Sequence, residues 1–298
     1  MNKIQKLFKN PDKAILYLID TGLGRVLSDK VYLKLKYRLA MKTKLNLKAP
    51  KTFNEKLQWL KLYDRNPEYT VMVDKYLVRQ YIADKIGEEY LIPLLGVWDD
   101  PDEIDFDKLP DRFVLKCNHN SGLGMCICKD KSQLNIPKVK EELKKGLAQN
   151  YYLHGREWPY KNVPRKVIAE KFMTDESGGL IDYKFFCFDG YVDCVMVCID
   201  RHLSDTKFYF FDKDWQLKRL NIRGQQAPAD FTLRKPECMD KMFEIAELLS
   251  KGLKFSRIDL YECDGKIYFG EITFFPDSGF DSNLLKSTDI YFGEHLKI

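Results

Sequence analysis

The chain has 298 residues, of which 45% are hydrophobic and 31% charged, with eight cysteines and a net charge of +5. This composition excludes a disordered, weakly hydrophobic chain and a small disulfide-stapled scaffold, and leaves enough apolar surface for one large or two modest cores. No apolar run is long enough to span a bilayer.

Charge interrupts every apolar stretch after Met1-Asn2-Lys3-Ile4-Gln5-Lys6, so no signal peptide is expected, and the unpaired spacing of the cysteines fits a reducing compartment. The expected location is the cytoplasm. The charge is unevenly spread. Residues 1–51 hold 13 Lys and Arg against Asp12, Asp20 and Asp29, a net of +10, while the remainder is slightly acidic. Two readings fit this basic arm: a solvated helix face, or a surface that docks on the inner face of a membrane or on an anionic glycan. No compact basic-aromatic module points to nucleic acid.

Residues 1–70 read as a basic, mainly helical N-terminal region. Within it, Val31 to Tyr37 alternates in a way that suits helix or strand. Thr52-Phe53-Asn54-Glu55 has the pattern of a helix capping box, and Asn66-Pro67 stops the helix that follows. A second helical stripe runs from Glu68 through Val73, Leu77, Val78 and Ile82 to Gly87, which places Asp74 and Lys75 on a helix.

From Tyr90 short apolar runs alternate with turns: Leu91–Leu95, Phe113–Lys116, Met125–Cys128 and Val167–Glu170 read as strands, with a helix over 137–147. Tyr183–Phe188 and Tyr191–Val197 are joined by Asp189-Gly190, a hairpin signal, and Phe208–Phe211 is a further strand. A helix over 240–253 precedes a last hairpin. The order is α+β.

That last hairpin carries chemistry. Asp259 lies in Phe255-Ser256-Arg257-Ile258-Asp259-Leu260-Tyr261, and Glu271 in Ile267-Tyr268-Phe269-Gly270-Glu271-Ile272-Thr273. Cys263-Asp264-Gly265-Lys266 between them is turn chemistry, so Asp259 and Glu271 are expected side by side, with Arg257 on the same strand face as Asp259. Two carboxylates and a guanidinium on one face fit a Mg²⁺–polyphosphate site, or a buried ion pair within a sheet. A second tract, Val114 to Ile127, reads as strand, polar loop, strand. Lys116 stands before the loop and Gly122 and Gly124 lie within it, an arrangement suited to closing backbone N–H groups over an anion, or to a solvated turn.

Taken in order, Lys75, Lys116 with its glycine loop, Val167-Ile168-Ala169-Glu170-Lys171-Phe172, Asp182, Arg257-Ile258-Asp259 and Glu271-Ile272-Thr273 resemble the ATP-grasp fold. In that α+β fold, two subdomains grip ATP between them. Here the fold is expected over 71–298, with a first subdomain at about 110–173 and a second at 174–298. A short helical extension stands in place of a full Rossmann-like domain. Thr52-Phe53-Asn54-Glu55-Lys56-Leu57-Gln58-Trp59-Leu60, Gly155-Arg156-Glu157-Trp158-Pro159-Tyr160, Asp182 to Gly190 and Gly270-Glu271-Ile272-Thr273-Phe274-Phe275-Pro276-Asp277-Ser278-Gly279 are similar to one branch, the TupA-like family, over roughly residues 45 to 290.

The resemblance implies a set of roles. Lys75 and Lys116 hold the phosphates and, with Arg257 at the transferring phosphoryl group, do the catalytic work. Ser121, Gly122 and Gly124 form the cover. Glu170 meets the adenine amino group, with Lys171, Phe172 and Met173 as the hinge, and Asp182 takes the ribose. Asp259 and Glu271 bind two Mg²⁺ ions. Thr273 stands where many ATP-grasp ligases have Asn and offers a hydroxyl to metal or to a bridging water. Arg156, Lys184, Arg201 and His119 are candidate contacts to an acidic substrate.

The activity implied is ADP-forming ligation of a carboxylate to an amine through an acylphosphate, on a bacterial surface polysaccharide or its precursor. The alternatives are a kinase acting on a sugar hydroxyl, a glycosyltransferase, or a non-catalytic nucleotide-binding partner.

Overall fold

A computed structural model describes residues 11–174, 180–199 and 206–298. It opens with helices α1 (Pro11–Thr21) and α2 (Asp29–Met41). The ambiguous stretch at Val31–Tyr37 is helical: Tyr32, Leu33, Lys36 and Tyr37 are buried, a spacing that forms one face of a helix and not of a strand. This face makes a small core of its own with Ile19 and Leu45. Lys36 is held inside it by Asp20 at 2.8 Å and the Tyr32 hydroxyl at 3.2 Å.

Helix α3 (Phe53–Tyr63) begins where the capping box predicts. The Thr52 hydroxyl accepts from the Glu55 backbone N–H, and the Glu55 carboxylate accepts from the Thr52 N–H. Phe53, Leu57 and Leu60 then enter the main core. The next helical stripe is broken in two, α4 (Glu68–Val73) and α5 (Val78–Ile86). Asp74 causes the break. Its side chain accepts from the N–H groups of Tyr76 and Leu77 at 2.8 and 3.2 Å, drawing them off a continuous helical ladder. Lys75 therefore stands in the break and not on a helix, with its own N–H bonded to the carbonyl of Asn118.

Four strands form the first sheet: β1 (Leu94–Trp98), β2 (Phe113–Cys117), β3 (Met125–Cys128) and β4 (Val167–Lys171), all antiparallel in the order β1-β4-β2-β3. The expected strand at Leu91–Leu95 starts only after Pro93, which has no N–H for a ladder. Helix α6 (Ile136–Ala148) packs Leu143 on this sheet's core with Phe113, Leu115, Val167 and Ala169.

The second sheet has six antiparallel strands. β5 (Asp182–Phe188), β6 (Tyr191–Ile199), β7 (Lys207–Phe211) and β8 (Leu217–Lys218) follow one another, then a short helix α7 (Ile222–Gln226) and a long one, α8 (Met239–Ser250). The hairpin β9 (Ser256–Cys263) and β10 (Lys266–Thr273) completes it in the order β10-β9-β5-β6-β7-β8. Both Asp-Gly steps are hairpin turns with left-handed residues: Asp189 and Gly190 at φ 49° and 84°, Asp264 and Gly265 at 54° and 74°. Helix α8 lies on one face of the sheet, where Phe243 meets Phe185 edge-on at 5.1 Å. Helix α9 (Lys286–His295) packs beside α3, with Phe292 5.5 Å from Phe53 and 5.5 Å from Phe186. Among the described residues no helix is long and apolar enough to cross a membrane.

Candidate active site

The β9–β10 register decides the site. Asp259 pairs with Glu271 and Arg257 with Thr273, after a bulge between Phe269 and Glu271. All four side chains therefore share one sheet face. Gly270 occupies the bulge. A side chain there would meet the Asp259 carbonyl oxygen at 3.0 Å and the Tyr261 ring at 2.8 Å, so the bulge needs glycine. On the neighbouring strand Lys184 pairs with Asp259 and joins the same face.

The contacts are dense. The Arg257 guanidinium donates from Nε and Nη2 to the two Asp259 oxygens at 2.7 Å each, a bidentate pair, and from Nη2 to Glu271 Oε1 and Thr273 Oγ1 at 3.2 Å. Thr273 donates its hydroxyl to Glu271 Oε1 at 3.1 Å. Lys184 bonds the Asp259 carboxylate and lies 3.8 Å from Asp182, which is fully buried. Burial pushes the Asp259 carboxyl up, against the pull of Arg257 and Lys184. Burial also opposes ionisation of Glu271, but Lys75, Arg257 and Lys184 outweigh it and hold that carboxyl at about 2. Glu271 is thus a fixed negative charge, and its Oε2 takes no hydrogen bond among the described residues.

Lys75 reaches this face from the break between α4 and α5, whose Val73 and Val78 pack in the core of the second sheet. Its ammonium donates to the carbonyl of Asn120 at 2.7 Å and is drawn toward deprotonation by burial, while Glu271 and Glu170 favour its charge and Lys116 opposes it. Asn118 fixes this approach. It donates to Asp74 and to the Pro164 carbonyl at 2.8 Å each and accepts from the Lys166 N–H at 2.8 Å, which ties the Lys75 break to the first sheet.

Lys116 and Glu170 share a face of that sheet and form an ion pair at 2.5 Å, with Arg79 3.6 Å from the same carboxylate. Lys171 is exposed, Phe172 stacks under the Arg112 guanidinium at 4.4 Å, and Met173 follows it close to the end of the first described segment. In the loop, Gly122 has φ 83° in open space. Gly124, at φ 70°, is pressed against Gly146 and Cys117, where a side chain would come within 2.8 Å of both. Ser121 points to the cleft.

Two proposed substrate contacts lie elsewhere. Arg156 is buried and turned to the N-terminal helices. It donates to the Gly24 carbonyl at 2.5 Å, pairs with Asp29 at 3.5 Å and stacks over the Tyr32 ring at 4.6 Å, so it ties the N-terminal region down and does not face the cleft. His119 is buried against the Gln149 carbonyl at 3.1 Å, and burial lowers its pKa to about 4, which makes it a neutral packing residue. Arg201 lies outside the described residues.

Between the two sheets and the N-terminal helices lies a cavity of about 410 Å³. It is lined by Lys75, Ser121, Arg257, Glu271 and Thr273, and also by Lys36, Tyr151, Glu157, Tyr160 and Ser278. Glu157, Tyr160, Asp277 and Ser278 belong to the strings that carry the family resemblance, whereas Lys36 and Tyr151 were not singled out in the sequence. The turn at Pro276–Gly279 contributes Pro276, Asp277 and Ser278 to the lining, and Asp277 and Ser278 are left-handed at φ 47° and 52°, an uncommon backbone for residues with side chains. Buried Lys61 and Gln58 hold it. Lys61 donates to the Ser278 and Gly155 carbonyls at 2.6 and 2.7 Å, and Gln58 donates to the Gly279 carbonyl at 2.6 Å. Ser278 donates its hydroxyl to the buried Glu157 carboxylate. Burial pulls the Lys61 ammonium down to about 7 and pushes the Glu157 carboxyl up.

Magnesium asks for one or two carboxylates and leaves its remaining positions to phosphate oxygens and water. The hairpin meets that requirement with Glu271, whose Oε2 is available at the cavity, and with Thr273 beside it. Asp259 qualifies once Arg257 or Lys184 yields one of its oxygens. Among the described residues no group of three or more His, Cys, Asp or Glu side chains forms a ready-made metal cage.

Two antiparallel sheets, with Lys116 on the first, a carboxylate-bearing hairpin on the second and Lys75 between them, make this an α+β protein of the ATP-grasp fold. The chain belongs to the TupA-like ATPgrasp family, whose model matches residues 55–297. Solved structures of similar architecture include D-alanine–D-alanine ligase from Helicobacter pylori. That chain is 16% identical at a TM-score of 0.46, over 82% of this chain and 67% of that one. The Bacillus anthracis D-alanine–D-alanine ligase complexed with ATP is 18% identical at 0.43, over 75% and 61%. The ATP-grasp ligase PsnB complexed with a minimal precursor is 12% identical at 0.42, over 81% and 67%. The chain thus spans 61–67% of the length of these structures. No curated protein matches it.

Proposed function

We propose that this protein is an ATP-dependent carboxylate–amine ligase that works through an acylphosphate. The observation that carries the reading is the shared cleft: Lys75 from the α4–α5 break, Ser121 from the loop after β2, and Arg257, Glu271 and Thr273 from the hairpin line a single cavity. A triphosphate there would meet cations on both sides. Lys75 and Lys116 bind and orient the phosphates. Arg257 faces the γ-phosphoryl group, where its planar donors match the developing charge. Two Mg²⁺ ions held by Glu271, Asp259 and Thr273 would neutralise the phosphate oxygens.

A substrate carboxylate oxygen attacks the γ-phosphorus, the bond to the β,γ-bridging oxygen breaks, and ADP leaves. An amine then attacks the acyl carbon, phosphate departs with the C–O electron pair, and the nitrogen loses a proton to give the amide. The loop of Ser121, Gly122 and Gly124 covers the cleft and keeps water from the acylphosphate. The family resemblance supports a glycan-linked carboxylate or amine. The uneven charge supports a basic N-terminal arm that rests on the inner membrane face or on an anionic glycan, which places the reaction in the cytoplasm.

The test is ADP release from MgATP with a carboxylate, with and without an amine or hydroxylamine as acyl trap. Glu271→Gln should lower turnover at least about 100-fold, since a fixed charge in the reacting site is lost. The unfolding midpoint is read alongside, because the substitution also removes a carboxylate that Lys75, Arg257 and Lys184 stabilise in the folded state, and the turnover loss is compared at temperatures well below that midpoint. A stable phosphorylated sugar formed without any amine would overturn the ligase in favour of a kinase.

A further inference from the structure

We propose that the outer face of helix α2, with the turn just before it, is a docking surface for the head-group layer of an anionic lipid bilayer. The docking face follows from its own residues. What it brings to the bilayer, a reacting cavity, rests on the ligase reading.

The face comes first. Tyr32, Leu33, Lys36 and Tyr37 turn into the small N-terminal core, which leaves Val31, Lys34, Leu35 and Arg38 on the opposite side at positions i, i+3, i+4 and i+7. All four are exposed, Val31 at 50% and Leu35 at 38%. Arg25 and Val26 lie in the turn just ahead, where Val26 is 85% exposed, and exposed Lys30 flanks the start of the helix. Single exposed apolar side chains are ordinary. Here Val26, Val31 and Leu35 stand among cations within one short stretch of chain.

Charge is the second observation. The acids beside this face, Asp20 and Asp29, are spent on inward partners. Asp20 accepts from the Tyr32 hydroxyl at 2.6 Å and from Lys36, and Asp29 accepts from the Tyr152 hydroxyl and lies 3.5 Å from Arg156. Arg25, Lys30, Lys34 and Arg38 make no ion pair among the described residues. Their charge is therefore open to an external anion, and each cation near an anionic membrane contributes about 5-fold in affinity.

The mixture of side chains decides the partner. A soluble anionic glycan would engage the cations and leave Val26, Val31 and Leu35 in water. The interfacial layer of a bilayer takes both, with apolar tips at the acyl boundary and ammonium and guanidinium groups at the phosphates.

The face is also preformed and well placed. Arg156 donates to the Gly24 carbonyl and, at 3.4 Å, to that of Leu27, and the Gly155 N–H donates to the Tyr32 hydroxyl at 3.1 Å. These bonds tie the turn and the helix to the body of the protein, so docking needs little further ordering. The same helix lends Lys36 to the lining of the cavity. A helix with its side chains is about 10–12 Å across. A docked protein would hold that wall of the cavity roughly one helix diameter from the head groups.

The experiment uses the full chain and sucrose-loaded vesicles of phosphatidylcholine, alone or with roughly one-third phosphatidylglycerol, in about 0.1 M salt. Co-sedimentation should be at least about 10-fold stronger with the anionic vesicles. Lys34→Glu together with Arg38→Glu should weaken it at least about 25-fold, and Val26→Ser together with Val31→Ser about 5-fold. Unfolding midpoints are read for both pairs, and ADP release with soluble substrates should match the wild type, since neither pair reaches the cavity. Equal sedimentation with neutral and anionic vesicles, or none with either, would overturn the docking face. Binding lost in the glutamate pair but unmoved in the serine pair would overturn the membrane assignment, and competition by soluble polygalacturonate would then identify a glycan surface. Absence of ADP release in the wild type would sink the ligase reading and leave the vesicle result to decide the docking face.

Discussion

Replacing Asp259 with asparagine tests whether the hairpin carboxylates divide their labour as the geometry indicates. Asp259 is only 1% exposed, and its two oxygens take Arg257 in a bidentate pair and Lys184 as well. The amide has nearly the same shape but no charge, and it turns a donor toward two cations. Removing one partner of a buried ion pair costs about 3–5 kcal/mol. Here Glu271 at 3.2 Å from Arg257 and Asp182 at 3.8 Å from Lys184 retain part of the compensation, so about 2–4 kcal/mol is expected. With an unfolding entropy of about 2 cal/mol/K per residue, a chain of this length should lose roughly 3–6 °C from its midpoint. Scanning calorimetry without nucleotide reads this directly. Lys184→Met in the same background removes one stranded charge and should recover about half of the loss, as a double-mutant cycle would show. A midpoint within about 1 °C of wild type would refute the reasoning, because Asp259 would then be a solvated acid and not the centre of a buried network.

Gly124→Ala should cost about 2–4 kcal/mol, because its Cβ would lie 2.8 Å from Cys117 and Gly146 at a left-handed φ, whereas Gly122→Ala meets open space and should cost about 1–2 kcal/mol; urea unfolding of the pair checks the contrast. Burial and the neighbouring Asp277 raise the Asp281 carboxyl from 3.8 to about 6, so the folded state binds that proton more tightly. Its contribution to stability is full below about pH 4 and lost as the pH rises through 6, and Asp281→Asn should flatten the urea-midpoint profile across that window. Thr52→Ala removes half of the capping box at α3 and should destabilise by about 0.5–2 kcal/mol in the same assay, with ATP turnover unchanged at temperatures well below the midpoint.

Much of the architecture is written locally. The Asp264-Gly265 step and the apolar runs beside it are enough to pair Asp259 with Glu271, because a two-residue turn fixes register and register fixes which side chains share a face. Thr52 and Glu55 announce α3, and Asp189-Gly190 announces β5–β6, for the same reason: each is a contract between residues a few positions apart. Where a local signal had competition, sequence misled. The stripe from Glu68 to Ile82 looks like one helix, and only the alternative that Asp74 offers to the N–H groups of Tyr76 and Leu77, backed by Asn118 from 44 residues away, splits it and frees Lys75 to enter the cleft.

What the chain order alone determined is the set of strands, their turns and the pairing of acids across the last hairpin. Only the tertiary structure decided which polar residues face a common space. Arg156 and His119 are chemically suited to a substrate but are consumed by packing, while Lys61, which no sequence pattern singled out, holds the Asp277–Ser278 turn that with Glu157 lines the cavity. The physical reason is that hydrogen-bond periodicity and turn geometry act over a few residues, whereas burial and electrostatic partnership are settled between elements that meet only after the chain has folded, here across 217 residues between Lys61 and Ser278 and 221 between Gln58 and Gly279.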